Sequence, residues 1–66
     1  MELTVNGAER SIAAGASVAD LVSAIVPHAR GVAVAVNGEV VPRAGWPERA
    51  LRDGDRVEVL TAAQGG

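Results

Sequence analysis

The sequence predicts an α+β fold in which one short helix packs on a single face of a mixed sheet. Three observations carry this reading. Two Asn-Gly pairs, Asn6-Gly7 and Asn37-Gly38, each join strand-like runs and mark hairpins, because both residues tolerate the positive φ of a two-residue turn. Only one stretch, beginning at Val18, has apolar residues at helical spacing. A single helix of about ten residues cannot cover both faces of a sheet, so it lies on one of them.

The elements follow in order. Glu2-Leu3-Thr4-Val5 alternates polar and apolar, the pattern of a half-buried strand. After Asn6-Gly7, the return strand from Ala8 to Ile12 carries Glu9 and Arg10, charges that suit an edge. Ser17 with Asp20 three residues later reads as a capping box at a helix start. Val18, Leu21, Val22 and Ile25 then fall on one helical face, and Pro27 stops the helix near Val26. Val32-Ala33-Val34-Ala35-Val36 is the clearest strand, its valines under the helix and Ala33 and Ala35 on the other side. Glu39-Val40-Val41 follows the second Asn-Gly turn and ends at Pro42. Arg43 to Arg52 reads as a loop holding one helical turn, and Asp53-Gly54-Asp55 as a tight turn. The last strand runs from Arg56 to Leu60 with Val57 and Val59 inward. With the first and last strands central and parallel, the order is the β-grasp arrangement of ubiquitin. Residues 1–61 form that domain and residues 62–66 a tail without periodicity.

Composition excludes several functions. The chain has 66 residues and no cysteine, so disulfides, thiolate metal sites and a cysteine nucleophile are ruled out together. A lone histidine, His28, cannot build a zinc cluster and reads as a solvated loop residue. A domain of this size has little interior for an enclosed active site. The net charge is -2, there is no basic stripe and Trp46 is the one aromatic residue, which argues against nucleic-acid binding. No apolar run has the length of a membrane helix, and the start of the chain lacks a signal sequence, which predicts a cytoplasmic protein. All six cationic side chains are arginine, so no lysine amine exists to receive an isopeptide bond.

Four groups of residues are left as candidates. Asp53 and Asp55 flank a glycine and could approach a hard cation, but a calcium loop needs more oxygen ligands. They read as a turn with solvated carboxylates. Trp46 caps the core, pins its loop or serves as a contact residue. Ala33, Ala35 and Leu60 point away from the helix and offer a flat surface on which a partner could dock. The chain closes on Gln64-Gly65-Gly66. Glycine lacks Cβ, so such a tail can thread closely past a catalytic surface and present its carboxylate for activation.

Four segments stand out together: Val36-Asn37-Gly38-Glu39-Val40-Val41-Pro42-Arg43, Trp46, Leu51-Arg52-Asp53-Gly54-Asp55-Arg56-Val57-Glu58 and Gln64-Gly65-Gly66. In this combination they resemble the ThiS family of sulfur carriers in thiamine biosynthesis. The likeness covers essentially the whole chain, and Val-Pro-Arg-x-x-Trp is its most specific mark. The small subunit of molybdopterin synthase (MoaD) also ends in Gly-Gly but is usually longer and lacks the Pro-Arg-x-x-Trp signature.

The resemblance implies a mechanism. A ThiF-type adenylating enzyme would use ATP and magnesium to convert the Gly66 carboxylate into an acyl-adenylate. A persulfide or sulfide donor would then leave a thiocarboxylate on Gly66. Gln64, Gly65 and Gly66 would thread into the partners while Ala33, Ala35 and Leu60 dock. Thiazole synthase (ThiG) would take the sulfur into the thiazole of thiamine phosphate. The chain would thus be a protein co-substrate with no catalytic residue, metal or bound cofactor of its own. A carrier for molybdopterin or cysteine synthesis, and an interaction module whose tail is never activated, are the alternatives.

Overall fold

The structure is a computed structural model that describes residues 1–27 and 31–62. Strand β1 (Glu2–Val5) turns back as β2 (Ala8–Ser11), and helix α1 (Val18–Ile25) follows. Then come β3 (Val32–Val36), β4 (Glu39–Val41), a 3₁₀ helix (Arg43–Glu48) and β5 (Arg56–Thr61). The strands form one sheet in the order β2-β1-β5-β3-β4. β1 and β5 run parallel at its centre, and the remaining pairs are antiparallel. This is the β-grasp topology.

Local chemistry accounts for each connection. Asn6 and Gly7 have φ of 51° and 83°, and Asn37 and Gly38 have 52° and 82°. Both residues of each turn are therefore left-handed, the geometry that matches the twist of a two-residue hairpin. Ser17 and Asp20 form the reciprocal capping box: the Asp20 N–H donates to Ser17 Oγ at 3.2 Å and the Ser17 N–H to Asp20 Oδ2 at 2.9 Å. Helix α1 ends at Ile25 because Val26 precedes Pro27 and is extended, with φ -124° and ψ 122°. The helix is accordingly eight residues long, shorter than the sequence pattern predicts.

The core lies between the helix and one sheet face. Val18, Leu21 and Val22 of α1 meet Leu3, Val5, Val34, Val36, Val57 and Val59. Burying each such side chain contributes about 1.5–3 kcal/mol. The 3₁₀ helix closes one end of this core with Trp46, which is 4% exposed and donates its Nε1–H to the Val41 carbonyl at 2.9 Å. Trp46 thus pins its loop, and the expectation that it could serve as a contact residue is overturned by its burial. Strand β2 is exposed along its whole length, as its charges required of an edge.

Candidate functional site

The site is organised around β5, the strand that leads to the end of the chain. Its alternation sends Val57 and Val59 into the core and leaves Arg56, Glu58 and Leu60 on the open face. Register then selects the neighbours: Leu60 stands opposite Ala33, Glu58 opposite Ala35, and Ala35 opposite Val40. Residues directly opposite in a sheet share a face. The three residues expected to form a docking surface, Ala33, Ala35 and Leu60, are therefore contiguous.

Val40 joins them. At 72% and 64% exposure, Val40 and Leu60 are the exposed large apolar side chains among the described residues. The two alanines form the floor between them, and with Glu58 they line a shallow depression of about 200 Å³. The outward position of Val40 was legible in Glu39-Val40-Val41, since an inward Val41 turns its neighbour outward.

Each hairpin sends an asparagine side chain to grip β5. Asn6 Oδ1 accepts from the Val59 N–H at 2.8 Å, and its Nδ2 donates to the Val59 carbonyl at 3.0 Å. One carboxamide thereby replaces a backbone partner where β1 has already turned away. Asn37 Oδ1 accepts from the Arg56 N–H at 2.9 Å, and its Nδ2 donates to Asp55 Oδ1 at 3.0 Å. The strand is held at both its start and its outer half. The Asn-Gly pairs signalled hairpins only; this second use of their side chains had no sequence signal.

The Asp53-Gly54-Asp55 turn is a junction. Asp53 Oδ1 accepts from the Glu2 N–H at 2.7 Å, and Asp55 Oδ2 accepts from the Arg52 N–H at 2.8 Å. Asp55 is 9% exposed, so the expectation of solvated carboxylates is corrected for it. The cause is that both of its oxygens are taken up by neighbouring donors. Burial pushes the Asp55 carboxyl up, but the Arg52 N–H, the Asn37 amide and the charges of Arg49 and Arg52 outweigh it. The net effect holds it below the usual carboxylate value. Among the described residues there is no group of three or more His, Cys, Asp or Glu able to hold a metal, and no helix long and apolar enough to cross a membrane.

Where β5 ends, the Ala62 N–H donates to the Gly31 carbonyl at 2.8 Å. Gly31 has φ of 68°, and a Cβ there would stand 2.7 Å from the Ala62 Cβ, so glycine alone allows this closure. Gln64, Gly65 and Gly66, expected to form the reactive tail, lie outside the described residues, as does His28.

The sequence profile of the ThiS family matches residues 3–66. The chain belongs to the ThiS family. Over all of its length it is 30% identical to the sulfur carrier protein ThiS of Escherichia coli, covering 100% of that protein. It is 37% identical over 62 residues to ThiS of Thermus thermophilus, covering 94% of this chain and 95% of that one. The crystal structure of ThiS from Geobacter metallireducens superposes with a TM-score of 0.83 at 41% identity, covering 92% of this chain and 93% of that one. A thiazole synthase of Paramagnetospirillum magneticum is 36% identical over the whole of this chain, which spans only 20% of that protein's length. A ThiS-like segment and a thiazole synthase thus occur within one polypeptide.

Proposed function

We propose that this ThiS-family sulfur carrier of thiamine biosynthesis carries sulfur as a thiocarboxylate on Gly66. The observation that carries this reading is the family match, which runs to residue 66 and so includes Gln64-Gly65-Gly66. A carboxylate resists nucleophilic attack because its charge is delocalised and its leaving group would be oxide. An adenylating partner of the ThiF type removes that barrier with ATP and magnesium. A Gly66 carboxylate oxygen attacks the α-phosphorus of ATP, pyrophosphate leaves, and an acyl-adenylate forms. Hydrosulfide then attacks the carbonyl carbon, AMP leaves with the electron pair of the broken C–O bond, and the thiocarboxylate remains. Two moderate substitutions replace one difficult step.

The residues support this division of labour. No cysteine is present to hold a persulfide, so the terminal carbonyl is the attachment point. Gly65 and Gly66 leave it unhindered, and Gln64 can hydrogen-bond along a partner's channel. The open face of Ala33, Ala35, Val40 and Leu60 docks the body of the domain while the tail reaches the partner's active site. Thiazole synthase is the acceptor, a reading supported by the relative that holds both in one chain.

Intact mass tests the proposal. The chain incubated with ATP, magnesium, an adenylating partner and sulfide gains the mass of one oxygen-to-sulfur exchange at its C-terminus. Deletion of Gly66 abolishes the gain without unfolding the domain. Equal modification of the truncated chain would refute the tail reading.

A further inference from the structure

The depression on the open face has a polar member that apolar docking does not explain. Glu58 sits opposite Ala35 and two residues before Leu60 on the same face of β5, and it lines the depression with Ala33, Ala35 and Val40. Among the described residues its carboxylate has no hydrogen bond and no ion pair. Arg56, the nearest cation along β5, stands about 7 Å away by strand spacing and lies opposite Thr4. Free in water, Glu58 is satisfied by solvent. Once a partner covers Val40 and Leu60, the carboxylate at the edge of the patch, beside Leu60 and across Ala35 from Val40, loses that water. A carboxylate stripped of water and left without donors is strongly disfavoured, so a surface that covers this patch tightly must bring hydrogen-bond donors, and a cationic donor answers the charge as well.

The shape of the patch narrows the choice. Its floor is two alanines and its walls are Val40 and Leu60, so it accepts an aliphatic stem, and its charge lies at one end beside the floor. Arginine has that form: a stem that packs on apolar surface and a planar fork that meets a carboxylate with two parallel hydrogen bonds. Its guanidinium is also more weakly hydrated than an ammonium, which favours it at a covered site.

We propose that this trough receives an arginine of thiazole synthase, its stem lying on Ala33 and Ala35 between Val40 and Leu60 and its guanidinium paired with Glu58. The inference rests on the docking reading above and adds the chemistry of the opposing surface.

Binding of the full chain to thiazole synthase from the same source, measured by calorimetry at about 50 and 500 mM salt, tests both separately. Glu58→Gln keeps the shape of an exposed side chain and should weaken binding at least tenfold at low salt while flattening the salt dependence. Glu58→Arg should weaken it roughly a hundredfold, and an Arg→Glu change in the partner should restore it. Leu60→Ala should weaken binding equally at both salt concentrations. Wild-type affinity and salt slope in Glu58→Gln, with Leu60→Ala still impaired, overturn the arginine and leave the docking face standing. A scan of the partner's arginines that finds no rescue of Glu58→Arg overturns it as well. If the unmodified chain does not bind, or if neither Leu60→Ala nor Glu58→Gln has an effect, the docking reading falls and takes this inference with it.

Discussion

The two hairpins of this domain are built alike and present different surfaces. Each turns through Asn-Gly with nearly the same pair of φ angles, and each asparagine reaches across to β5. Their open faces diverge. The β1–β2 hairpin presents Glu2, Thr4, Glu9 and Ser11, with the Ser11 hydroxyl donating to the Glu2 carboxylate. The β3–β4 hairpin presents Ala33, Ala35 and Val40 beside Leu60. Turn chemistry fixes how a hairpin pairs, and it leaves the outward residues free. Selection for binding can then act on one half of the sheet while the other half stays a solvated edge that resists pairing with other chains.

The strongest way to break the comparison is to charge one half and then the other. Leu60→Arg or Val40→Arg should weaken partner binding by roughly a hundredfold, the scale of a central apolar anchor. Thr4→Arg on the other half should change it by no more than about threefold, as rim charges do. Equal losses from both halves would mean that the partner covers the entire face. The next test removes the clamps. Asn37→Gly should destabilise the domain by about 2–3 kcal/mol, because it strips a donor from the Asp55 carboxylate as well as an acceptor from the Arg56 N–H. Asn6→Gly should cost about 1–2 kcal/mol, since both of its bonds go to neutral backbone. Glycine keeps the left-handed turn in each case, so urea unfolding reads the lost side chain and not turn strain.

The sequence carried the fold further than the site, and particular residues show why. Periodicity and turn signals are local, so the strands, the capping box at Ser17 and the stop before Pro27 could all be read in order. The side of the sheet taken by Ala33, Ala35 and Leu60 followed from alternation alone. The same rule turns Val40 outward, although the adjacent Val41 gives the segment the look of a strand buried on both faces. Asn6, Asn37 and Asp55 belong to a different category. Asn6 bonds to a strand residue 53 positions away, and Asn37 and Asp55 meet across 18; no local pattern tells an asparagine that only turns from one that also clamps a distant strand. Trp46 was ambiguous for a related reason: whether a large aromatic faces core or partner depends on what the 3₁₀ helix packs against. The sulfur chemistry was read from motif resemblance, because Gly65 and Gly66 have no side chains whose arrangement could declare it.

The smallest expected effect sharpens the comparison most finely, because acid should distinguish the two clamps. Only the Asn37 clamp is coupled to an ionisable group, through Asp55, whose carboxyl is held below its ordinary value in the folded chain. In the unfolded chain the group titrates near about 3.9. The folded state binds the proton less readily, so its contribution to stability is fully present above that value. It is lost as pH falls below about 4 and through the folded-state pKa. A protonated Asp55 still accepts from Asn37 or Arg52 but no longer with full charge, a weakening of about 1 kcal/mol. Exchange of the side-chain amide protons reads this directly: Asn37 Nδ2–H should lose protection as pH falls below about 4, beyond the intrinsic change in exchange rate, while Asn6 Nδ2–H keeps its own. Asp55→Asn should abolish this acid-dependent difference, since residue 55 then carries no proton to gain. Parallel loss at both asparagines would show that acid opens β5 as a whole, and the two hairpins would then be equivalent in their hold on the strand as well as in their turns.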